Sequence, residues 1–299
     1  MPLAARGVWE QGHQCEKKDV RRVWRVIAQL TLLLLFTGGV LADERLDLTG
    51  EAIEGGMLIG HTIPGARVRL DGRAVRVSPD GEFVIGFGRN APEHMLLEIR
   101  YPDTSALQRR LTIRQRRYRV QRIDGLPPRE VTPGKEELER IRRESAQIHQ
   151  ARAVDSARTD FDGEWIWPVI GTITGVYGSQ RILNGKPRSP HTGVDIAAPA
   201  GTPVRAPAAG VVSFAAEDLF FSGGTVILDH GHGISTTYVH LRRIFVHIGE
   251  AVQKGQGLGE VGATGRATGP NLHWGLNWFD RRLDPTLLVP SMAEARSGR

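Results

Sequence analysis

From Leu46 to about Ile123, short runs of alternating apolar residues are divided by turn signals: Pro64-Gly65, Asp71-Gly72, Pro79-Asp80-Gly81 and Pro102-Asp103. Such punctuation leaves little room for amphipathic helices. Sets such as Ala66-Val68-Leu70 and Phe83-Ile85-Phe87 put apolar side chains on one face of a strand, because successive strand residues point to opposite sides. With 36 Gly and 17 Pro among 299 residues, and longer runs rich in Val, Ile and Thr, the same expectation extends along most of the chain. The class is all-β, with two modest cores, and residues 43–126 read as a small β-sandwich.

Pro127-Pro128 ends that pattern. Residues 133–157 then carry many charges, lack Gly beyond Gly134, and place Ile141, Ile148 and Ala151 near helical spacing. A helical linker is predicted over 127–160, lying against a domain, with His149 exposed. Trp165 opens a second series of short strands and tight turns, including Gly175-Val176-Tyr177-Gly178 and the run from Thr202 to Val212. An antiparallel β domain is predicted over 161–290, followed by a tail, 291–299. The polar loop from Ser179 to Ser189 leads into His191 and should rim whatever site that residue serves.

At the other end, Lys17, Lys18, Arg21, Arg22 and Arg25 precede an apolar run from Val26 to Leu41 that closes on Ala42. This reads as a signal peptide, 1–42, cut after Ala42, since the run is short for the roughly 20 residues of a membrane span. An uncleaved anchor is the second choice. The expected location is outside the cytoplasm, in the periplasm or cell envelope. Cys15, the single cysteine, lies within this segment, so the exported chain has no thiolate for zinc, catalysis or a disulfide.

The same segment holds six basic and three acidic residues, so its removal lowers the formal charge from +6 to +3. That balance does not imply nucleic-acid binding. Arg109, Arg110, Arg114, Arg116, Arg117 and Arg119 read as a solvated strand face, with contact to an anionic envelope polymer the weaker alternative.

Chemistry concentrates in Pro190-His191-Thr192-Gly193-Val194-Asp195, an imidazole and a carboxylate four positions apart in a segment too rich in Pro and Gly for a helix. These are donors that a borderline ion such as zinc accepts, and a third is needed. The best candidate lies in Gly269-Pro270-Asn271-Leu272-His273-Trp274-Gly275, where strand alternation puts Asn271 and His273 on one side and Leu272 and Trp274 on the other. Two imidazoles and one carboxylate would leave the fourth tetrahedral position for water, the open arrangement of a catalytic site. The same alternation groups Thr236, Tyr238 and His240 on one face, with Val239 and Leu241 turned into the core. His61 and His94 show no ligand-like pattern of partners and read as surface residues.

Over residues 169–285 these motifs, together with Asp229-His230-Gly231, Tyr238-Val239-His240-Leu241 and Thr264-Gly265-Arg266-Ala267-Thr268-Gly269, resemble the lysostaphin-like, or LytM-type, zinc metalloendopeptidases that cut peptide bonds in peptidoglycan. The resemblance implies a duplicated hybrid β motif, Zn2+ held by His191, Asp195 and His273, and a catalytic role for His240. The family's second catalytic histidine corresponds to Asn271 here, a departure from its His-x-His pattern. His230, His232 and His247 fall outside the family's site and read as structural or surface residues, and Tyr238 is a candidate substrate contact. The implied partner is peptidoglycan, with envelope regulatory proteins left open. The alternatives are a non-catalytic peptidoglycan-binding or amidase-regulating module, and a structural-metal or carbohydrate-binding domain.

Overall fold

A computed structural model describes residues 44–123, 134–183 and 185–298. The signal peptide expected over 1–42 lies outside the described residues. Among those residues no helix is long and apolar enough to cross a membrane.

The first seven strands form two antiparallel sheets. One has the order Leu46–Gly50, Met57–Thr62, Glu82–Gly86; the other Arg73–Val75, Arg67–Leu70, His94–Arg100, Ala106–Thr112. The apolar sets anticipated from alternation are buried: Ala66, Val68 and Leu70 in one sheet, Phe83, Ile85 and Phe87 in the other. Val84, between Phe83 and Ile85, is buried as well. Its strand is covered on both faces, since Gly86 lies directly against Trp278 and Leu283. The cores of the two β parts are therefore joined: buried apolar residues from Leu46 to Leu283 make one continuous cluster, beside a smaller one under the helix Lys135–Arg152.

The second part is a ten-stranded sheet whose main path runs Ala251–Val252, Gly210–Leu219, Gly223–Gly231, Ile234–Ile244, Asn271–Trp278, Gly193–Ala197, Thr172–Gly175. Its pairs are antiparallel. Val194, Ile196, Leu272, Trp274 and Leu276 are buried on one face, and Trp167 meets Trp274 edge-on at 5.6 Å between ring centres. The register sets Asp195 directly opposite His273, and Val239 opposite His273 on the other side. Cross-strand neighbours lie about 4.5–5.5 Å apart, close enough for two side chains to share one ion.

The helix Lys135–Arg152 is shorter than the linker predicted for it, and it does pack against a sheet. Ala151 is buried, and Ile148 packs with it against Phe214, Leu219 and Ile227. Glu144 accepts from the Phe220 amide at 2.9 Å, and Arg140 binds the Asp218 carbonyl at 2.6 Å.

Residues 179–189 depart from the expected loop. Gln180–Leu183 and Lys186–Pro187 form a hairpin, and its first strand pairs in parallel with Val120–Ile123. Arg116 departs from the predicted solvated face. It donates to Asp284 at 2.8 Å, a carboxylate that is 3% exposed, and to the Glu54 carbonyl at 3.2 Å.

Candidate metal centre and cleft

His191 is placed by two backbone bonds: its amide donates to the Ser179 carbonyl at 2.8 Å, and its carbonyl accepts from the Gly178 amide at 2.9 Å. From there Nε2 lies 3.0 Å from Asp195 Oδ1 and 3.1 Å from His273 Nδ1, and His273 Nδ1 lies 2.8 Å from Asp195 Oδ1. Three donors from two paired strands and one turn thus converge on a single point. Gly175 makes room for this, since a Cβ there would stand 2.4 Å from Asp195 Oδ2.

The set fits zinc in chemistry and size. Zinc takes imidazole nitrogen and carboxylate oxygen at about 2.0–2.2 Å, which puts tetrahedral ligands about 3.4 Å apart, a little wider than the triangle seen here. Orientation is supplied by the protein: His191 Nδ1 lies 3.1 Å from the Val176 carbonyl, so the proton sits there and Nε2 keeps its lone pair for an ion. Burial pushes the Asp195 carboxyl up, but the adjoining imidazoles of His191 and His273 outweigh it and hold the group well below the usual carboxylate range. Burial is the leading influence on His273 and depresses its pKa, favouring the neutral, ligating form, against the pull of Asp195.

His240 is close enough for its charge to act on His273. Its φ of +68° interrupts the alternation of the strand Ile234–Ile244. The face assignments made from alternation are accordingly reversed before it. Thr237 and Val239 line the cleft with His273, whereas Tyr238 has no solvent exposure, and its hydroxyl pairs with Thr236 at 2.8 Å. Tyr238 is corrected from a substrate contact to a core residue, and Val239 from core to cleft. His240 Nδ1 lies 2.8 Å from the Thr264 carbonyl, which places its proton there and leaves Nε2 as the free acceptor. Asn271 shares the side of His273, and its Nδ2 donates to the Gly269 carbonyl at 2.8 Å.

The other histidines divide by burial. His247 is exposed. His61 is at the surface as expected but has acidic partners that the sequence did not show, Glu82 at 3.7 Å and Asp162 at 3.5 Å; one lies across the strand pair and the other a hundred residues on. His230 is fully buried between the Ala209 carbonyl at 2.6 Å and the Thr236 hydroxyl at 2.7 Å, and burial lowers its pKa to about 4.

His232 is 2% exposed, rests on Phe161 and has no hydrogen-bond partner at either ring nitrogen among the described residues. Burial lowers its pKa to about 4 as well, so the folded protein resists protonating it. Stability held at pH 7 is expected to fall as pH drops from 6.5 towards 4, by about 3 kcal/mol for this residue, and to level off below. His232→Phe should remove that part of the acid sensitivity while keeping the ring contact. Urea unfolding at pH 7 and pH 4.5 measures both effects.

A cleft of about 680 Å³ opens beside His273. One wall is the helix Lys135–Arg152, through Ile148, His149 and Arg152; another comes from Phe279, Asp280 and Arg282, with Arg73 reaching in from the first sheets. Local sequence offered no sign that these residues share a site with His273.

Residues 189–285 match the model of Peptidase family M23. A crystal structure described as a peptidase M23 from Pseudomonas aeruginosa is 32% identical, covers 80% of this chain and 95% of its own, and superposes with a TM-score of 0.61. DD-carboxypeptidase/endopeptidase Mpg of Neisseria meningitidis serogroup B is 46% identical over 108 residues, 35% of this chain and 25% of that protein. Peptidoglycan DD-endopeptidase ShyA of Vibrio cholerae serotype O1 is 43% identical over 88 residues, 29% of this chain and 20% of that protein. The chain thus spans a quarter or less of the length of these curated relatives.

Proposed function

Because this chain belongs to peptidase family M23, we propose that it is a zinc-dependent endopeptidase that hydrolyses peptide bonds in the stems or cross-links of peptidoglycan, working in the periplasm or cell envelope. The observation that carries this reading is the convergence of His191, Asp195 and His273 within 2.8–3.1 Å of one another. The names of the relatives, a DD-endopeptidase and a DD-carboxypeptidase/endopeptidase, support the substrate class.

His191, Asp195 and His273 would hold the ion. Zinc, when bound, supplies Lewis acidity that makes water nucleophilic near neutral pH and polarises a carbonyl. The remaining work falls to the protein. His240, with its proton fixed on Nδ1 by Thr264, presents Nε2 as a base for the attacking water and can return that proton to the departing amine. Asn271 cannot take up a proton at neutral pH, but only one of its two amide hydrogens is used on Gly269, so the other can donate to a developing oxyanion. Thr237 and Val239 shape the floor on which a peptide would lie.

His240→Ala is expected to slow hydrolysis by about 10²–10⁴-fold with zinc content unchanged. Asn271→Ala should cost up to about 10²-fold, and Asn271→His should alter the pH profile without touching the metal. Incubation of the zinc-loaded protein with sacculi and defined muropeptides, followed by mass analysis, checks all three. A second reading, a non-catalytic peptidoglycan-binding or amidase-regulating module, is favoured by one observation, the presence of Asn271 in place of a proton-transferring side chain. Binding to sacculi without any cleaved product, and cleavage gained only by Asn271→His, would establish that reading instead.

A further inference from the structure

Arg152 and Arg282 both line the cleft, one from the end of the helix and the other from the strand Arg281–Leu283. Neither forms an ion pair with a carboxylate among the described residues. Arg152 Nη2 donates to the Thr237 hydroxyl at 3.2 Å, while its Nε is buried and has no partner. Arg282 donates to the Asn277 side-chain carbonyl. The only carboxylate lining the cleft among the described residues, Asp280, is engaged by Arg73 at 3.4 Å.

Burial, and next the charge of Arg282, push the pKa of Arg152 down to about 9. Both guanidiniums are still cationic at pH 7, so two like charges are held in one partly dry pocket, and the carboxylate whose charge reaches Arg282, Asp280, is already paired with Arg73. A protein pays to keep such a pair unless an anion completes it. Guanidinium is suited to a carboxylate, which it meets through two parallel N–H donors. The site is also in the right place: Thr237, to which Arg152 binds, lies two residues from Val239, the cross-strand neighbour of His273.

We propose that Arg152 and Arg282 form a carboxylate subsite, taking an acid group that the substrate carries within one or two residues of the bond that is cut. The subsite rests on the reading of the cleft as a peptide-binding site. It gives the helix Lys135–Arg152 a direct part in substrate choice, and it sets a preference for acid-bearing over amidated peptides.

The test needs no variant to begin. A synthetic stem pentapeptide ending in D-Ala-D-Ala is prepared as the free acid, as its C-terminal amide, and with its side-chain carboxylates amidated. Binding of each to the metal-free full chain is measured by calorimetry, and hydrolysis of each by the zinc-loaded chain. One amidated form should bind at least about 10-fold more weakly than the free acid, and which form it is identifies the carboxylate. Arg152→Gln and Arg282→Gln should each erase that difference, and Arg152→Lys should retain part of it, with zinc content unchanged in all three.

Equal binding of acid and amides by the unaltered chain overturns the subsite, as does an equal loss for all peptides in the variants. Hydrolysis without acid preference would overturn the subsite and leave the endopeptidase standing. Acid-selective binding without hydrolysis would do the reverse.

Discussion

His191→Ala is expected to strip the zinc and reduce hydrolysis of muropeptides to background, a loss of at least about 10³-fold, or about 4 kcal/mol of transition-state stabilisation. Two donors cannot replace three, and His273 and Asp195 are drawn together at 2.8 Å only across one strand pair. The fold should survive, because His191 is partly exposed and held by backbone bonds that alanine keeps. His230→Ala and His232→Ala should leave the metal in place, since neither belongs to the ligand cluster. Elemental analysis beside mass analysis of products separates the two effects, and full zinc in His191→Ala would refute the ligand assignment.

Asp284→Ala is expected to cost about 3–4 kcal/mol of stability. The substitution leaves the Arg116 guanidinium, 26% exposed, without its partner, and it removes the side-chain oxygen that accepts from the Thr286 amide at 3.1 Å and its hydroxyl at 2.7 Å. Arg116 also binds Glu54, so the loss reaches back to the first sheets. Asp284→Asn should recover part of it, through the retained acceptor at the turn. Denaturant midpoints at constant slope measure the difference.

The convergence of His191, Asp195 and His273 was legible because these residues obey short-range rules. His273 sits in a strand whose alternation is regular, with Leu272, Trp274 and Leu276 buried, and His191 and Asp195 belong to a segment whose Pro and Gly exclude a helix. The same rule failed next door, at Tyr238 and Val239. Alternation fixes only which residues share a face; choosing which face meets solvent was guided by polarity, and the buried hydroxyls of Thr236 and Tyr238 bond to each other, and that of Thr236 to His230, instead of to water. The φ of His240 then allows it to reach the site from a strand that would otherwise point it inward. Arg152 and Arg282 were beyond such reading altogether. One follows helical periodicity on a charged segment and the other lies in a three-residue strand, and only tertiary packing brings them together. The merging of the expected two cores into one has a comparable cause: Gly86 permits close approach to Trp278, and a glycine's lack of a side chain says nothing in sequence about what will fill the space.

The strand Asn271–Trp278 of the large sheet lies between Ile234–Ile244 and Gly193–Ala197, and it supplies the third member of the cluster 82 residues after the first. At bacterial elongation rates that separation amounts to roughly 4–16 s during which His191 and Asp195 exist without His273. The strand must then insert between two neighbours already made, a non-local pairing of the kind that slows folding. Until that strand is made and paired, the cluster lacks one of its three donors, so the candidate centre is assembled by the last pairing that joins its two flanking strands.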